Sequence, residues 1–480
     1  LNIIIILRII DFERENMREV NIIIFCKNIN KWFLNLNKKG EDFMKKAYFK
    51  AEDNTNEIAF PTTLSYFERL EKEDKNFEHN TSEEMLEYQK MALNNVLDFA
   101  RKNNKFYRER NQNLSFSELN KIPLLLKKDI RGKKDLIKCV SNEKIGQLHL
   151  TSGTTGKPTY IAYTLADQYI YDLLPQYNEL FPFEARDIVG VALPYEFALP
   201  ALGFQRLFQF VFGSMVLSLG KGGYMAPVEK ALELLKEYQP TVITTTPSYA
   251  ALLYDEAIRL GFNPKEFQIK RFILTGEGCS FTYRKQLEER WNCKMTFFYG
   301  STEIGLIAKE CIKQNGYHIC EGHVFVEILG ANGEPVPNGE MGNIVVSTLL
   351  REGMPMIRYN TEDIGIITEE TCECGCRMKK LFLFGRESDQ ICLKEGNFPP
   401  LVLENVLLKS NYITLWYQFV IENQKLTIRC EKLFPNISEN EITMELKKLF
   451  KDNFDITCEI EITDNIPKHK GKNQRVFYKK

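Results

Sequence analysis

The stretch Thr151-Ser-Gly-Thr-Thr-Gly-Lys-Pro158 decides how this chain is interpreted. Its hydroxyl side chains, two glycines and one lysine can gather backbone N–H groups and a cation around the oxygens of a phosphate. It is not a Walker phosphate loop, because that pattern needs Gly where Thr151 stands and Ser or Thr where Pro158 stands. We therefore expect a phosphate-binding loop of another kind.

The residues on either side of this stretch favour two strands and not a helix. Leu148-His-Leu precedes it, Thr159-Tyr-Ile-Ala-Tyr follows it, and both runs are typical of strands. The loop is therefore predicted to be the tip of a β-hairpin. A glycine-rich hairpin without any ligand is the alternative that the loop alone leaves open.

Short apolar runs alternate with helical patterns between Leu148 and Arg386. Runs such as Ile188-Val-Gly-Val are separated by segments with helical spacing, such as Thr282 to Trp291. This alternation predicts an α/β fold with a doubly wound, mostly parallel sheet. Residues 322–384 carry several strand-like runs and turn signals, which predict an added antiparallel subdomain, and a smaller α+β unit is expected after it.

A chain of 480 residues is long enough for several domains. Three regions are predicted, namely an N-terminal extension over residues 1–80, a main domain over 81–385 and a small domain over 386–480. The chain starts with Leu and has internal methionines that offer other starts, so part of the extension is expected to be an over-long gene prediction. A regular apolar pattern predicts an amphipathic helix over 82–103.

Composition and charge exclude several classes of protein. Lys and Arg number 63 and Asp and Glu number 64, so no overall positive charge favours a nucleic-acid backbone. The most apolar run, Leu1 to Ile10, is far shorter than the roughly 20 residues that span a bilayer, and it lacks the features of a secretory signal. We expect a cytoplasmic protein with no nucleic-acid or membrane partner, while its oligomeric state is open and a dimer is one option.

Five motifs in a fixed order resemble those of the adenylate-forming superfamily, which includes acyl-CoA synthetases and adenylation domains. The phosphate loop is the first, and the others are Tyr299-Gly-Ser-Thr-Glu, Arg358-Tyr-Asn-Thr-Glu-Asp, Gly385-Arg-Glu-Ser-Asp and Pro467-Lys-His-Lys-Gly-Lys. The resemblance covers the chain from about residue 82 to its end. It implies that residues 81–385 form an AMP-binding adenylation domain and that residues 386–480 form a mobile α+β lid.

The resemblance also implies the catalytic residues, and their chemistry fits. Lys472 would stabilise the charge that develops as a carboxylate attacks the α-phosphate of ATP. Thr302 would hydrogen-bond phosphate, and Glu303 would hold Mg²⁺, which prefers oxygen ligands. Asp389 would be the hinge that lets the lid move between two half-reactions.

Further residues are implied to bind the nucleotide. Tyr299 offers a flat face to the purine, and Asp363 can accept both ribose hydroxyl groups. Glu362 stands where the family usually has Gly, so a positive φ at this position would be strained. The predicted nucleotide contacts are Thr151, Ser152, Gly153, Thr154, Thr155, Gly156, Lys157, Gly276, Glu277, Tyr299, Gly300, Asp363 and Arg386.

Within the superfamily, the phenylacetate-CoA ligase branch resembles the chain better than the others. The resemblance lies in stretches such as Asn104-Lys-Phe-Tyr-Arg, Thr246-Pro-Ser-Tyr-Ala and Pro355-Met-Ile-Arg-Tyr. Members of this branch with a Cys, His, Cys-x-Cys set bind a structural zinc, and three thiolates with one imidazole suit that metal. We expect zinc on Cys311, His318, Cys372 and Cys374, with Cys376, Cys320 and His323 as alternative ligands.

The resemblance implies an ATP-dependent acid–thiol ligase that forms an acyl-adenylate. The acceptor is left open between CoA and the phosphopantetheine of a stand-alone carrier protein. An aryl or arylacetic acid is the expected substrate, in a pocket formed by Tyr195, Phe197, Phe204 and Gly278. Two alternatives stay open, namely an acyl-protein synthetase that loads a fatty acyl group onto a partner's Cys and a non-catalytic, zinc-stabilised nucleotide-binding scaffold.

Overall fold

Strands and helices alternate along the chain as the sequence predicts. The computed structural model describes residues 77–151, 156–168, 187–464, 466–468 and 474–479. The described strands are β1 (Ile145–Thr151), β2 (Thr159–Thr164), β3 (Ile188–Val191), β4 (Met215–Ser218), β5 (Val242–Thr245), β6 (Arg271–Thr275), β7 (Lys294–Ser301), β8 (Gly305–Glu310), β9 (Tyr317–Ile319), β10 (Val324–Leu329), β11 (Gly342–Thr348), β12 (Tyr359–Thr368), β13 (Lys380–Arg386), β14 (Ile391–Leu393), β15 (Gly396–Phe398), β16 (Ile413–Glu422), β17 (Lys425–Lys432), β18 (Cys458–Ile462) and β19 (Val476–Tyr478).

Most of the described helices connect one strand to the next along the chain. They are α1 (Ser82–Asn103), α2 (Lys105–Asn111), α3 (Lys127–Ile130), α4 (Leu199–Arg206), α5 (Val228–Tyr238), α6 (Pro247–Arg259), α7 (Phe281–Trp291), α8 (Pro400–Leu407) and α9 (Glu439–Phe454). A π-helical turn, Leu207–Val211, continues α4. Short 3₁₀ turns are found at Phe77–His79, Phe116–Lys121, Asn142–Lys144, Pro264–Glu266 and Glu387–Asp389.

The helix predicted over residues 82–103 forms with these bounds, as α1. Thr81 caps α1, because its hydroxyl accepts the N–H of Glu84 while the Glu84 carboxylate accepts the N–H of Thr81. The apolar face of α1 is buried, and its Tyr88 hydroxyl donates to the carbonyl oxygen of Gly322 at 2.7 Å. The prediction of a helix over 82–103 is therefore confirmed. Most of the predicted extension, residues 1–76, lies outside the described residues.

The α/β prediction is confirmed by one large sheet with eleven strands among the described residues. Their order is β10-β11-β12-β13-β9-β8-β7-β6-β5-β3-β4, and the five strands from β7 to β4 run parallel. All four residues of β5 are buried, as expected for a strand inside a parallel sheet. The sheet's other strands are antiparallel to their neighbours and continue it beyond β7, so the predicted antiparallel subdomain shares one sheet with the parallel half.

The change of direction occurs at the turn between β7 and β8. Gly300 in β7 lies so close to the other strand that an added Cβ would stand 2.3 Å from the carbonyl oxygen of Gly305. Any larger residue would therefore push the two strands apart. This close turn places Thr302 and Glu303 at the border between the two halves of the sheet.

The predicted hairpin around the phosphate loop is also confirmed. Strands β1 and β2 pair in antiparallel register, with Thr151 opposite Thr159. Both ends of the loop are thereby held at the end of a two-stranded sheet. The loop residues 152–155 lie outside the described part of the chain.

The C-terminal region has its own four-stranded sheet in the order β18-β17-β16-β19, and α9 packs against it. Its apolar core continues into that of the main sheet, since α8 packs on α7 and buries Leu403 and Leu407 in the same cluster as Leu287. The described residues all fall within one compact unit that spans Phe60–Lys480. The predicted boundary at residue 385 and the mobility of a lid stay predictions.

Among the described helices, none has both the length and the apolar character that crossing a bilayer requires.

Candidate active site

The phosphate-loop hairpin contacts the segment that precedes it in the chain. The N–H of Gly132 donates to the carbonyl oxygen of Pro158 at 2.9 Å. Lys157 packs closely on Gly132, where an added Cβ would stand 2.9 Å from Lys157 Cδ. Gly156 has φ +141°. Thr151 is the last residue of β1. The predicted contacts Ser152, Gly153, Thr154 and Thr155 lie outside the described residues.

Three of the predicted nucleotide contacts, one each from β7, β12 and β13, lie together. The hydroxyl of Tyr299 donates to Oδ2 of Asp363 at 2.8 Å, and Nε of Arg386 lies 3.8 Å from Oδ1 of the same carboxylate. The strand register pairs Asp363 directly with Arg386. Burial, and next the charge of Asp363, raise the pKa of Tyr299 well above its ordinary value, so the phenol stays a hydrogen-bond donor.

Glu362 lies in the left-handed region, where the predicted strain would arise. Its φ is +64°, and its N–H donates to Oδ1 of Asn360 at 2.9 Å. The next residue, Asp363, is the one whose carboxylate accepts the hydroxyl of Tyr299. The chain therefore keeps the backbone that glycine would favour, but with a glutamate in it.

Thr302 and Glu303 lie in the turn between β7 and β8. The carbonyl oxygen of Thr302 accepts the hydroxyl of Tyr163 from β2 at 2.9 Å. Glu303 is 3% exposed, and its Oε1 lies 3.0 Å from Nζ of Lys127. The turn therefore places a buried carboxylate next to the ammonium group of Lys127.

Lys127 belongs to none of the motifs that predict the site. In the sequence it stands in the run Lys127-Lys128-Asp129, which resembles any solvated helix start. The structure brings it to Glu303 because Leu125 bridges to β12, with its N–H donating to the carbonyl oxygen of Arg358 at 2.8 Å. No local pattern signals this pairing.

The segment Gly276 to Gly278 follows β6 and contacts the C-terminal region. The carboxylate of Glu277 accepts the hydroxyl of Ser248 at 2.8 Å and lies 3.7 Å from Nζ of Lys221. A Cβ added to Gly278 would stand 3.1 Å from Leu401 at the start of α8. Glu277, one of the predicted nucleotide contacts, thus already has Ser248 and Lys221 beside its carboxylate.

The four residues of the predicted substrate pocket have different neighbours. Phe204 is buried against Phe298, with ring centroids 5.4 Å apart. Tyr195 donates to Oγ of Ser218 at 3.0 Å, whereas Phe197 is 69% exposed. These contacts do not gather the residues around one cavity, so the pocket stays a prediction.

The predicted zinc ligands come together from three parts of the antiparallel strands. Cys311, His318, Cys372 and Cys374 each offer a ligand atom, and these atoms all lie within 4.8 Å of one another. Sγ of Cys311 is 3.7 Å from Sγ of Cys372, close to the roughly 3.8 Å that separates two sulfurs on a tetrahedral zinc with bonds of about 2.3 Å.

The imidazole of His318 is oriented for the same set. Its Nδ1 lies 3.2 Å from the carbonyl oxygen of Met378, which leaves Nε2 toward Sγ of Cys374 at 3.4 Å. Burial lowers the pKa of His318, which favours the neutral, ligating form. The alternative ligand His323 instead has its Nε2 at 2.6 Å from the carbonyl oxygen of Leu306, and neither Cys376 nor Cys320 belongs to the four-atom group found among the described residues. The donor set fits zinc.

The two remaining predicted residues lie near the C-terminal end. Asp389 is exposed in the turn after β13, and its Oδ1 accepts the hydroxyl of Ser388 at 3.1 Å. Lys472 lies outside the described residues. The hinge and the catalytic lysine therefore stay predictions.

Comparison with known proteins identifies the family of this chain. Residues 62–349 match the family model described as AMP-binding enzyme. The phenylacetate-coenzyme A ligase of Thermus thermophilus is 30% identical over 323 residues, which cover 64% of this chain and 69% of that protein. The enzyme of the same name from Escherichia coli is 27% identical over 388 residues, which cover 75% of this chain and 85% of that protein.

Among solved structures, a 2-hydroxyisobutyryl-CoA ligase in its postadenylation state, in complex with 2-HIB-AMP, has a TM-score of 0.77. It is 21% identical, and the match covers 84% of this chain and 91% of that one. This likeness supports the fold. Together with the family model, which matches more than half of the chain, the relatives place this chain among the AMP-binding enzymes of the adenylate-forming superfamily, where it is phenylacetate-CoA ligase-like.

Proposed function

We propose that this chain is an ATP-dependent, AMP-forming ligase that joins a carboxylic acid to the thiol of CoA. The observation that carries the proposal is the meeting of Tyr299, Asp363 and Arg386 beside the turn of Thr302 and Glu303. An aromatic face, a carboxylate that can accept hydroxyl groups and a buried acidic residue suit a purine, a ribose and a cation-bound triphosphate respectively. The family relatives support the same nucleotide chemistry.

In the first half-reaction, a carboxylate oxygen of the acid attacks the α-phosphorus of ATP. The bond between that phosphorus and the oxygen bridging to the β-phosphate breaks, and pyrophosphate leaves. Glu303 would hold Mg²⁺, which when bound neutralises charge on the phosphates. The phosphate-loop hairpin would bind the leaving group, and Lys472 would stabilise charge at the α-phosphate.

In the second half-reaction, the thiol sulfur of CoA attacks the acyl carbon of the adenylate. The bond to the AMP oxygen breaks, the thioester forms, and the thiol proton is lost to solvent or base. The relatives of this chain are named for CoA as acceptor, which favours CoA over a carrier protein. An aryl or arylacetic acid is our proposed substrate class, because the curated relatives carry phenylacetate in their names.

A panel of acids with two competing acceptors tests this proposal. Purified full-length protein is given ATP, Mg²⁺ and aryl, arylacetic, short hydroxy and long-chain acids, and pyrophosphate release is measured. CoA and a phosphopantetheine-loaded carrier protein are then supplied together. We expect release with arylacetic acids and acyl transfer to CoA. Turnover only with long-chain acids would refute the aryl assignment, and no pyrophosphate with any acid in the panel would refute the ligase.

We also propose that the Cys311, His318, Cys372 and Cys374 group holds a structural zinc. Four ligands close a tetrahedral site and leave no position for a reacting water. A reducing cytoplasm, our predicted location, keeps thiols available as ligands. The zinc would join the ends of β8 and β9 to the loop between β12 and β13.

A further inference from the structure

Arg351 lies between the two parts of the predicted triphosphate site. It is 5% exposed and follows β11 in the segment that leads to β12. Its Nη1 donates to the carbonyl oxygen of Glu303, and its Nη2 donates to the carbonyl oxygen of Ala162 in β2 at 3.4 Å. One guanidinium therefore bonds both the turn that carries Glu303 and the hairpin that carries the phosphate loop.

Tyr163 makes a second connection between the same two elements. The Arg351 guanidinium stacks on its ring at 3.9 Å from the centroid, and its hydroxyl donates to the carbonyl oxygen of Thr302 at 2.9 Å. Burial raises the pKa of Tyr163 to about 12, so this hydroxyl is a donor throughout the physiological range. Two consecutive carbonyl groups of the turn are therefore connected to β2. Thr302 accepts a hydrogen bond from Tyr163 of β2, and Glu303 accepts one from Arg351, which also bonds to Ala162 of β2.

The backbone that directly follows Arg351 is also held by hydrogen bonds. The buried carboxylate of Asp167 accepts the N–H groups of Glu352 at 2.9 Å, Gly353 at 3.1 Å and Thr164 at 3.0 Å. A Cβ at Gly353 would stand 2.7 Å from Oδ2 of Asp167, so the approach depends on glycine. Arg351 is therefore presented from a segment that is itself tied to the hairpin.

We propose that Arg351 is a positioning residue that sets the distance between the phosphate-loop hairpin and the Glu303 carboxylate, with Tyr163 as its partner. The inference rests on the proposed function, in which Glu303 would hold Mg²⁺ and the phosphate-loop hairpin would bind the ATP phosphates. Residues that orient a metal ligand by hydrogen bonds typically change metal affinity by about 10–100-fold when removed. Loss of Arg351 is therefore expected to weaken binding of MgATP specifically.

A merely structural role for Arg351 predicts a different result. A buried arginine that only supports the fold would lower the melting temperature and the fraction of active protein, and it would leave the affinity for each substrate unchanged in the folded molecules. A positioning role moves the Mg²⁺ dependence of ATP binding. The two roles are therefore separated by affinity measured on folded protein.

The experiment compares R351Q, R351K and Y163F with the wild type by calorimetric titration of ATP at several Mg²⁺ concentrations. We expect the half-saturating Mg²⁺ concentration to rise about tenfold in R351Q and severalfold in Y163F, with partial rescue in R351K, because lysine keeps the charge without the planar fork. ATP binding without Mg²⁺ should change less. If R351Q does not fold, Y163F, which loses one hydroxyl only, carries the test.

The control is R101Q. Nη1 of Arg101 donates to the carbonyl oxygen of Leu114 at 2.7 Å, and its side chain is 18% exposed, but its contacts lie in α1 and the segment after α2. We expect its Mg²⁺ dependence to equal that of the wild type. Equal Mg²⁺ dependence in R351Q, Y163F and the wild type would overturn the inference.

This readout needs no turnover and so separates the two proposals. A wild type that binds ATP with Mg²⁺ but releases no pyrophosphate with any acid would refute the ligase and still report on Arg351. A ligase whose Mg²⁺ dependence is insensitive to Arg351 and Tyr163 would refute the inference alone.

Discussion

Glu362 adopts a conformation that costs free energy in every residue except glycine. Its φ of +64° belongs to the left-handed region, where a side chain costs of order 1 kcal/mol or more. We expect Glu362→Gly to raise the free energy of unfolding by about 0.5–1 kcal/mol, because relief of strain exceeds the added entropy of the unfolded chain. Chemical denaturation of the two proteins measures this difference.

Glu362→Ala is the matched control for that change. Alanine removes the carboxylate but keeps a Cβ, so the strain remains and no such gain is expected. If alanine stabilised the protein as much as glycine, the effect would come from the lost charge and not from φ.

Lys127 forms an ion pair with the buried carboxylate of Glu303. The carboxylate is 3% exposed and Nζ of Lys127 lies 3.0 Å away. Removing one partner of a buried pair typically costs about 3–5 kcal/mol, because the other charge is left without compensation. We expect Lys127→Met to melt well below the wild type in a chelator, and Mg²⁺ to recover much more of the melting temperature in the variant than in the wild type.

Lys128→Met controls for the loss of a lysine from the same short helix. Lys128 is exposed, so its replacement should leave both the melting temperature and its response to Mg²⁺ unchanged. A Lys127→Met protein that melts like the wild type in chelator would show that the pair contributes little.

At the scale of elements, the four predicted zinc ligands join strands that are distant in sequence. Cys311 follows β8, His318 lies in β9, and Cys372 and Cys374 lie between β12 and β13. We expect freshly purified protein to hold about one zinc per chain and Cys374→Ala to lose it, since three ligands bind the metal less tightly than a closed set of four. Elemental analysis gives the stoichiometry directly.

Cys376→Ala distinguishes this ligand set from its neighbours. Cys376 is buried close by but is not one of the four grouped ligands, so the variant should keep its zinc. Loss of zinc from Cys376→Ala but not from Cys374→Ala would assign the fourth ligand to Cys376.

The same elements show what a sequence can and cannot predict here. Motif resemblance identified Tyr299 and Asp363, which are far apart in sequence yet hydrogen-bonded. The resemblance, supported by side-chain chemistry, also identified the four predicted zinc ligands, whose ligand atoms lie close together. Lys127 and Arg351 could not be found in this way, because their roles depend on pairing between distant segments and their local sequences look like ordinary charged surface. The continuity of the large sheet was missed for the same reason, since strand order across β7 and β8 is not encoded in hydrophobic period.

At the scale of the whole molecule, one buried ion pair lies where the C-terminal region contacts α7. Glu404 in α8 is fully buried, pairs with Arg475 and accepts the N–H of Ser280 at 2.6 Å. The guanidinium of Arg475 also stacks on Tyr283 of α7 at 4.6 Å from the ring centroid. We expect Glu404→Leu to lower the free energy of unfolding by about 3–5 kcal/mol, because Arg475 would be left as an uncompensated buried charge.

The double variant E404L/R475M tests that explanation. With both charges removed, much of the lost stability should return, which denaturant midpoints of the single and double variants measure. Glu461→Leu is the control, since its pair with Arg429 is 50% and 32% exposed and should contribute less than about 1 kcal/mol. A double variant as unstable as Glu404→Leu would assign the loss to packing and not to charge.

The tight β7–β8 turn has a consequence for how substrates could be handled. Tyr299 and Glu303 belong to one short piece of backbone, anchored on either side by strands in the middle of the sheet. The backbone of these two residues therefore cannot move far apart without disrupting the pairing of β7 with β8. The β1–β2 hairpin is tied to the same backbone through Tyr163 and Arg351, so any rearrangement between successive chemical steps is expected instead in the residues after β13.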